Sequence, residues 1–397
     1  MNACRLLFTH LRKICPTIHV TRLRALVTAV EAAIQHRLTL TDLGRGLKSF
    51  ALVKHNIKRM DRLLGNGRLS AERIVLYTEI AHWALAQVTE PLVLIDWSTL
   101  TPDHQWHVLR ASIPVQGRAL TIYEEVHPLQ SLTNRHVHQA FLHHLRTVLP
   151  SHVRPILVTD AGFRGTWFRM VEVMNWNWVG RIRNRTLVQK KAGATWEPCK
   201  AFYTQATKTP TTLGLVHLVR SHPLRCSLHL VRQSPKGRIH KSVFGMPIRA
   251  SSSRKIAVRE REPWLIASSV GLQAKTAKRI MAIYRTRMQI EEAFRDLKSE
   301  RYGLGFSASQ TRVPARLAIL LLIGALALLV LWLVGQATMQ QQWHYRYQSN
   351  TRRSRPVLSV ISIGRHVVGR AIECLATRHL IAAFAHLQRQ LTQVHAT

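Results

Sequence analysis

Apolar residues recur with helical spacing over the first part of the chain. In the segment TRLRALVTAVEAAIQHRL (21–38) they return every three or four positions, which is the spacing of an amphipathic helix. The next segment, 39–67, predicts a helix, a turn and a second helix, and Thr41 or Asp42 is the expected N-cap of the first of these. Residues 1–75 are therefore predicted to form a domain of short helices.

The second helix of segment 39–67 is predicted to end at Gly65 and Gly67. It carries four basic residues: Lys54, Lys58, Arg59 and Arg62. The pattern supports two interpretations almost equally. The helix is either a DNA-reading element or a basic face that is simply solvated.

From residue 91 onward, short apolar runs replace the helical spacing. PLVLIDW (91–97) and RPILVTDAGF (154–163) each contain an apolar run that leads into an acid, as in a strand that leaves a buried core. WHVLRASIPV (106–115) and RALTIYEEV (118–126), separated by QG, predict an antiparallel pair. The other elements predicted here are a helix at 134–149 with Thr133 or Asn134 as its cap, a helix at 166–176 and a strand at 177–183. A strand meander followed by alternating strands and helices predicts an α/β fold with a mixed sheet and helices on its faces.

Residues from about 184 to 265 predict a mainly β insertion. Its short β-like segments lie among basic loops, at 213–221, 224–233, 237–245 and 263–270. The elements predicted after it are a long amphipathic helix at about 273–299, an apolar helix at 317–334, a linker at 350–356 and a helical C-terminal piece at 357–393. The predicted domains are residues 1–75, 76–345 and 346–397.

The apolar segment 317–334 has 18 residues and no charge. This length is at the lower limit for crossing a bilayer, and it also suits a central helix that is buried on all sides in a large domain. We favour the buried helix, because the segment stands alone and lies next to a polar stretch with candidate chemistry.

The chain is strongly basic. It has 57 Lys and Arg against 20 Asp and Glu, a formal net charge of +37, and the basic residues are spread over its whole length. A sustained positive field of this kind favours a polyanionic partner, most simply nucleic acid. A ribosome-associated or membrane-surface protein is the alternative.

The five cysteines include no CxxC pair, so the sequence indicates neither a zinc finger nor a disulfide framework. The first residues, MNACRLLFTHLRKICP, do not resemble a signal peptide. Together they predict a protein of the reducing cytoplasm. The histidines of segment 136–144 lack the spacing of a zinc site and are expected on a polar helix surface. No glycine-rich segment has the spacing of an ATP-binding loop, so no ATP dependence is expected.

Two strands are predicted to end in an aspartate at the rim of the sheet, at Asp96 in LIDW and at Asp160 in VTDAGF. Because the chain has few acids, an acid at such a position requires an explanation. The reason is either catalysis or an ordinary structural role, as a helix cap or an arginine partner.

The segment YRTRMQIEEAFRDLK (284–298) contains a third candidate acid. At about 100° per residue, Tyr284, Arg287, Glu291 and Lys298 fall within roughly 60° of arc on one helix. Glu292 and Asp296 fall outside this stripe. The residues expected on the buried face are Ile283, Ile290, Phe294 and Leu297. Glu291 is therefore predicted at the margin between core and cleft, with Glu292 pointing further out.

Three carboxylates that converge on one rim would repel one another unless a cation held them. Mg²⁺ prefers oxygen ligands, and a pair of such ions about 4 Å apart supports phosphoryl transfer. We therefore expect Asp96, Asp160 and Glu291 to be metal ligands. Tyr284, Arg287 and Lys298 would hold the phosphate backbone beside them.

The spacing Y-x2-R-x3-E-x6-K of these last residues resembles the signature of bacterial cut-and-paste insertion-sequence transposases of the DDE type. The acidic motifs LIDWS and VTDAGFRGTWF also resemble that group, most closely its Tn-ten type, and the resemblance extends over nearly the whole chain. It implies a ribonuclease H-like mixed-sheet core, an α-helical N-terminal DNA-binding domain and a helical C-terminal region. Asp96, Asp160 and Glu291 would be catalytic ligands of Mg²⁺, with Mn²⁺ as a substitute.

The resemblance also implies a role for the insertion and a reaction course. Trp264, in EPWLIASS, would receive a flipped DNA base; the alternative is an ordinary core tryptophan. The implied enzyme binds terminal inverted repeats, cuts them through hairpin ends and joins the element to target DNA. It would act as a homodimer on paired ends, in the cytoplasm and associated with the nucleoid, without membrane or ATP. The rival function is a non-catalytic DNA-binding protein, either a self-regulating repressor or an inactive transposase.

Overall fold

The computed structural model describes residues 2–234, 261–352, 354–370 and 375–396, together with Met246, Ser251 and Val258. The predicted strand at 237–245 lies outside these residues. The chain divides into two compact units. The first unit is Met1–Val153 with Met288–Thr397, and the second unit is Arg154–Arg287.

Helices open the first unit, as the spacing predicts. The N-terminal helices are α1 (Asn2–Ile14), α2 (Val20–Ala33), α3 (Leu40–Arg45), α4 (Val53–Leu64) and α5 (Gly67–Leu85).

The caps of these helices differ slightly from the prediction. The Thr39 side chain, which precedes the expected caps Thr41 and Asp42, accepts a hydrogen bond from the Asp42 backbone N–H at 3.1 Å and caps α3. Gly65 follows α4 as expected. Gly67 begins α5 instead of ending α4, because the Asn66 side chain caps the new helix by accepting from the Leu69 N–H at 2.9 Å.

A three-stranded antiparallel meander follows, and the predicted strand pair is confirmed. Its strands are β1 (Leu92–Thr99), β2 (Trp106–Val115) and β3 (Arg118–Pro128). Gln116 and Gly117 join β2 to β3 with φ of 40° and 83°. Positive φ at both positions matches the twist of the flanking strands, which is why a QG pair makes a tight hairpin. The predicted helix α6 (Arg135–Val148) then begins after Asn134, whose side chain accepts from the His136 N–H at 2.9 Å.

The C-terminal part of the first unit is built around one apolar helix. Its helices are α9 (Met288–Lys298), α10 (Pro314–Gln340), α11 (Val360–Arg370) and α12 (Thr377–Ala396). Among the described residues, α10 is the helix that is long and apolar enough to cross a membrane, and 94% of its most apolar 18-residue window is buried inside the protein. The predicted burial of segment 317–334 is confirmed.

The second unit begins with a parallel strand–helix–strand motif. Strand β4 (Ile156–Thr159) leads through helix α7 (Gly165–Val173) to β5 (Asn177–Arg181), which pairs with β4 in parallel. The strands that follow are antiparallel: β6 (Leu187–Gln189), β7 (Glu197–Pro198), β8 (Thr211–Leu218), β9 (Leu224–Val231) and β10 (Trp264–Ser268). Their order is β4-β5-β10-β9-β8-β6-β7, and helix α8 (Ala277–Arg285) packs on this sheet. The chain is thus a mixed α/β protein.

The prediction of one long helix at 273–299 is wrong, because this segment forms two helices, α8 and α9. Thr286 and Arg287 form a turn between them, and the Thr286 hydroxyl donates to the Ile283 carbonyl at 2.7 Å. A hydroxyl that bonds back to the preceding turn competes with the helical ladder. The expected buried residues Ile283, Ile290, Phe294 and Leu297 are nevertheless all buried.

Candidate active site

Asp96 lies where strand β1 leaves the core. Residues 92–95 are buried and residues 96–99 are half-buried, so the burial changes at Asp96 although the strand continues to Thr99. The predicted strand end at Asp96 is therefore three residues too early. The Trp97 backbone N–H donates to Asp96 Oδ1 at 2.9 Å and helps to fix the carboxylate.

Charged side chains extend across the meander from Asp96. Asp96 is paired in register with Arg110 on β2, and Arg110 with Glu124 on β3, so the three side chains share one face of the sheet. Arg110 is 1% exposed; its Nε and Nη2 lie 2.7 and 2.6 Å from Glu124 Oε2. The Tyr77 hydroxyl of α5 donates to Glu124 Oε1 at 2.7 Å. A buried cation with its own carboxylate partner thus stands directly beside Asp96.

Lys298 connects helix α9 to the end of β1. Its Nζ donates to the Ser98 hydroxyl at 2.6 Å and to the Thr99 carbonyl. Burial lowers the pKa of Lys298 to about 8; the nearby Arg110 acts in the same direction and Asp96 against it. Lys298 therefore holds the half-buried end of the strand that carries Asp96.

Glu291 lies in the first turn of α9 and is exposed. A carboxylate there is favoured by the helix dipole. Glu291 precedes Lys298 by seven positions, so both lie on nearly the same side of the helix. Glu292 is less exposed than Glu291 and pairs with Arg295 at 3.2 Å, so the expectation that Glu292 points further out is wrong. The turn at 286–287 also divides the expected stripe, because Tyr284 lies on α8 and Arg287 in the turn, whereas Glu291 and Lys298 lie on α9.

In the second unit, Asp160 follows β4 directly and is half-buried, as predicted. Its Oδ1 accepts a hydrogen bond from the Gly162 N–H at 2.8 Å. A Cβ at residue 162 would stand 2.9 Å from the same oxygen, which is closer than such atoms approach in real structures. Only glycine leaves the space around this carboxylate open.

Tyr284 and Trp264 form an aromatic pair in the second unit. Tyr284 is 4% exposed, and its ring meets the half-buried Trp264 edge-to-face with centroids 5.1 Å apart. Burial raises the pKa of Tyr284; the charge and hydrogen bond of Arg287 lower it, and the charge of Asp160 raises it. These effects place Arg287 and Asp160 near the tyrosine. Because Tyr284 is buried, its ring supports Trp264 from behind.

Trp264 is the first residue of β10, a strand that pairs with β5 on one side and β9 on the other. The indole is half-buried at the end of a strand whose remaining residues are buried. It is therefore more accessible than an ordinary core tryptophan.

The expected metal ligands fall in both units, Asp96 and Glu291 in the first and Asp160 in the second. In the described part of the chain, no group of three or more His, Cys, Asp or Glu side chains is arranged to hold a metal ion. The donor type of these residues fits a hard cation, since all three offer carboxylate oxygens. The open space that Gly162 leaves at Asp160 fits it as well.

Comparison with known protein families shows to which family this chain belongs. The transposase DDE domain matches residues 88–330, well over half of the 397-residue sequence. The chain belongs to the transposase DDE domain family.

Among solved structures, the transposase is similar to the piggyBac transposase synaptic complex with hairpin DNA, determined by cryo-electron microscopy. The identity is 10%, the match covers 93% of this chain and 76% of that chain, and the TM-score is 0.43. No curated protein matches the sequence.

The matched region of the transposase contains the three expected metal ligands and the DNA-binding residues expected beside them, and also charged residues that the sequence did not assign to the site. Arg110 stands within the apolar run of β2, and this was the signal that it is paired inside the core; the sequence of β3 does not show which of Glu124 and Glu125 is its partner. Asp296, expected outside the catalytic stripe, is buried on α9 and lies 2.5 Å from Arg118 Nε.

The histidine segment also differs from expectation. His138 of α6 is 8% exposed and accepts a hydrogen bond from Trp97 Nε1 at 3.3 Å. The predicted polar helix surface is therefore wrong at this position, because His138 packs beside the indole that follows Asp96. Burial lowers the pKa of His138, so burial favours the neutral ring that accepts this bond.

Proposed function

We propose that this DDE transposase binds the terminal inverted repeats of a bacterial insertion sequence, cuts its ends and joins the element to target DNA. The observation that carries the proposal is the family match over residues 88–330. The net charge of +37 supports DNA as the partner, because neutralising phosphates releases counterions and drives association. The proposed subgroup is the Tn-ten type with the Tyr-Arg-Glu-Lys signature, in the bacterial cytoplasm at the nucleoid.

The proposed domains are a helical DNA-binding domain (1–75), a ribonuclease H-like catalytic core (76–345) and a helical C-terminal region (346–397) that assists dimerisation. The β insertion of the core would span about 184–265. The first boundary falls within α5, so we expect this helix to connect the two domains rigidly.

Asp96, Asp160 and Glu291 are proposed to hold Mg²⁺, or Mn²⁺ as a substitute. The metal would supply an activated water and stabilise the charge that develops on the leaving oxygen. Backbone N–H groups would orient the two aspartates, Trp97 for Asp96 and Gly162 for Asp160. Each of these bonds would hold its carboxylate in place, and the carboxylate would offer oxygen ligands to the metal ion.

Arg287 and Lys298 are proposed to contact the DNA backbone, with Lys298 also supporting the end of β1. Trp264 is proposed to stack on a base flipped out of the duplex, which offsets the stacking lost when the base leaves the helix. Tyr284 would contribute to DNA binding through Trp264, whose ring it contacts edge-to-face. Excision would proceed through hairpin ends, with two copies of the transposase acting on paired ends.

The test is incubation of the purified full-length protein with its element's end DNA and Mg²⁺, with products resolved on a denaturing gel. Nicked strands followed by hairpin ends are expected, and neither should form in EDTA. Binding of the end DNA without any cleavage in Mg²⁺ or Mn²⁺ would favour the non-catalytic DNA-binding protein. Cleavage without hairpins would contradict only the hairpin step of the proposed reaction.

A further inference from the structure

A fully exposed phenylalanine lies between helices α3 and α4. The Phe50 side chain is entirely accessible, and its neighbours Leu52 and Val53 are 63% and 53% exposed. Exposed apolar side chains are ordinary when they stand alone, but a contiguous apolar group that includes a whole phenyl ring indicates a contact surface.

The turn that carries Phe50 is held in place by hydrogen bonds. The Ser49 hydroxyl donates to Oδ1 of Asn56 at 2.9 Å, and the Ala51 N–H donates to the Ser49 hydroxyl at 3.3 Å. Asn56 is only 3% exposed, so the turn is attached to the buried side of α4. These bonds fix the backbone on both sides of Phe50 while its ring projects into solvent.

The corner between α3 and α4 is also tightly packed. A Cβ at Gly44 of α3 would stand 2.6 Å from the Cα of Ile57 on α4, so the two helices approach as closely as a glycine allows. Leu43, Met60 and Leu64 are buried beneath this contact. The Phe50 turn is therefore presented by a rigid pair of helices.

The surface around Phe50 is strongly basic. We call it the α4 basic surface; it consists of the exposed residues Lys48, Lys54, Lys58, Arg59 and Arg62. Two acids partly neutralise it: Asp61 pairs with Lys58 and with Arg316, and Glu31 lies 3.7 Å from Lys48. A protein partner with an apolar pocket would not require five cations, whereas a DNA duplex presents phosphates for the cations and stacked bases for the ring.

We propose that Phe50 inserts into the base stack of the DNA that the α4 basic surface binds. The inference rests on the proposed function and adds a specific contact to it. Apolar side chains wedge between base pairs where a protein distorts DNA, and the bases they unstack gain an aromatic contact in return. The lysines and arginines position the duplex, and Phe50 marks the base step at which the duplex is opened.

The experiment uses the full-length protein and a duplex of the element's terminal repeat. Affinity is measured by fluorescence anisotropy over a series of salt concentrations, and unstacking is measured by the permanganate reactivity of thymines. The wild type is expected to make one or two thymines hyper-reactive. Phe50→Ala should lose this reactivity and about tenfold in affinity, with the salt dependence unchanged.

Three further variants separate the contribution of the Phe50 ring to DNA binding from that of the basic residues. Phe50→Trp should restore both affinity and reactivity, since it keeps an aromatic ring. Lys58→Ala should weaken binding and reduce the salt dependence while leaving the thymine pattern in place. Val173→Ala, a change at a residue that is 87% exposed on α7, is the matched control and should alter neither.

Phe50→Ala with wild-type affinity and wild-type thymine reactivity would overturn the proposal while leaving the proposed function intact. A wild-type protein that fails to bind the repeat would overturn both. A loss of self-association in Phe50→Ala, seen by light scattering without DNA, would instead assign the surface to a second copy of the chain and also overturn the proposal.

Discussion

Two adjacent acids in strand β3, the buried Glu124 and the half-buried Glu125, show how single residues stabilise the meander that carries Asp96. Glu124 accepts hydrogen bonds from Arg110 and Tyr77. On the opposite face Glu125 accepts from Tyr123 at 2.6 Å and lies 2.7 Å from a ring nitrogen of each of His127 and His144. Glu124 is removed from water and Glu125 is partly removed, and both are tolerated because each carboxylate oxygen has a hydrogen-bonding partner.

Removing Arg110 should be costly, because it leaves a buried carboxylate without its cation. We expect Arg110→Met to lower the free energy of unfolding by about 3–5 kcal/mol in urea titration. The double variant Arg110→Met/Glu124→Gln should recover part of this loss, since glutamine keeps an acceptor for Tyr77 without the charge. A double variant no more stable than Arg110→Met alone would contradict a charge-based explanation.

The Glu125 carboxylate should make the free energy of unfolding depend on pH. Burial raises the pKa of its carboxyl, but hydrogen bonds from His127, Tyr123 and His144 outweigh burial, so the pKa lies below its ordinary value. A depressed carboxyl pKa adds stability at neutral pH, and this stability is lost as the pH falls below the unfolded value through the folded one. Glu125→Gln should therefore be less stable than wild type at pH 7, and the difference should shrink towards pH 4. A difference that does not change with pH would contradict this account.

At the scale of elements, two glycines let helices α10 and α11 cross closely. A Cβ at Gly364 of α11 would overlap the Leu331 carbonyl of α10, and a Cβ at Gly335 of α10 would overlap the Val360 carbonyl. Glycine is unfavourable inside a helix, so its presence at both contact points indicates that backbone approach decides the packing.

The two glycines of α11 provide a matched comparison. Gly364→Ala should destabilise the protein by about 1–3 kcal/mol, because the methyl group must force the helices apart. Gly369→Ala adds the same methyl group to the same helix where nothing lies within 4 Å, and it should be neutral or stabilising by about 0.5–1 kcal/mol. Thermal unfolding of both variants measures the difference; equal midpoints would show that the helices separate without cost.

The elements also show what the sequence could predict. The β2–β3 hairpin follows from two apolar runs joined by QG, and α6 from its Asn134 cap, because both signals are local. The break between α8 and α9 carries no glycine or proline, so helical periodicity missed it and placed Tyr284 and Arg287 on one helix with Glu291 and Lys298. The Arg110–Glu124 pair joins residues on different strands, and such pairing becomes visible only when the register of the sheet is known.

At the scale of the whole molecule, a strongly basic chain contains the very apolar helix α10. Because α10 is buried within the first unit, the association of the protein with cell fractions should be electrostatic. After lysis the transposase should sediment with nucleic acid at low salt and be released by high salt, without detergent. Retention in the membrane fraction after high-salt washing would contradict the burial of α10 in the cellular protein.

The proposal that Asp96, Asp160 and Glu291 are all needed for DNA cleavage can be tested residue by residue. The most direct measurement is Mg²⁺-dependent cleavage of end DNA by Asp96→Asn, Asp160→Asn and Glu291→Gln, each of which removes one negative charge with little change in shape. Glu292→Gln, at the adjacent residue, is the matched control. The account predicts that each of the first three variants loses cleavage while still binding the DNA, and that the control cleaves like the wild type. Cleavage retained by any of the three, or lost in Glu292→Gln, would contradict the assignment.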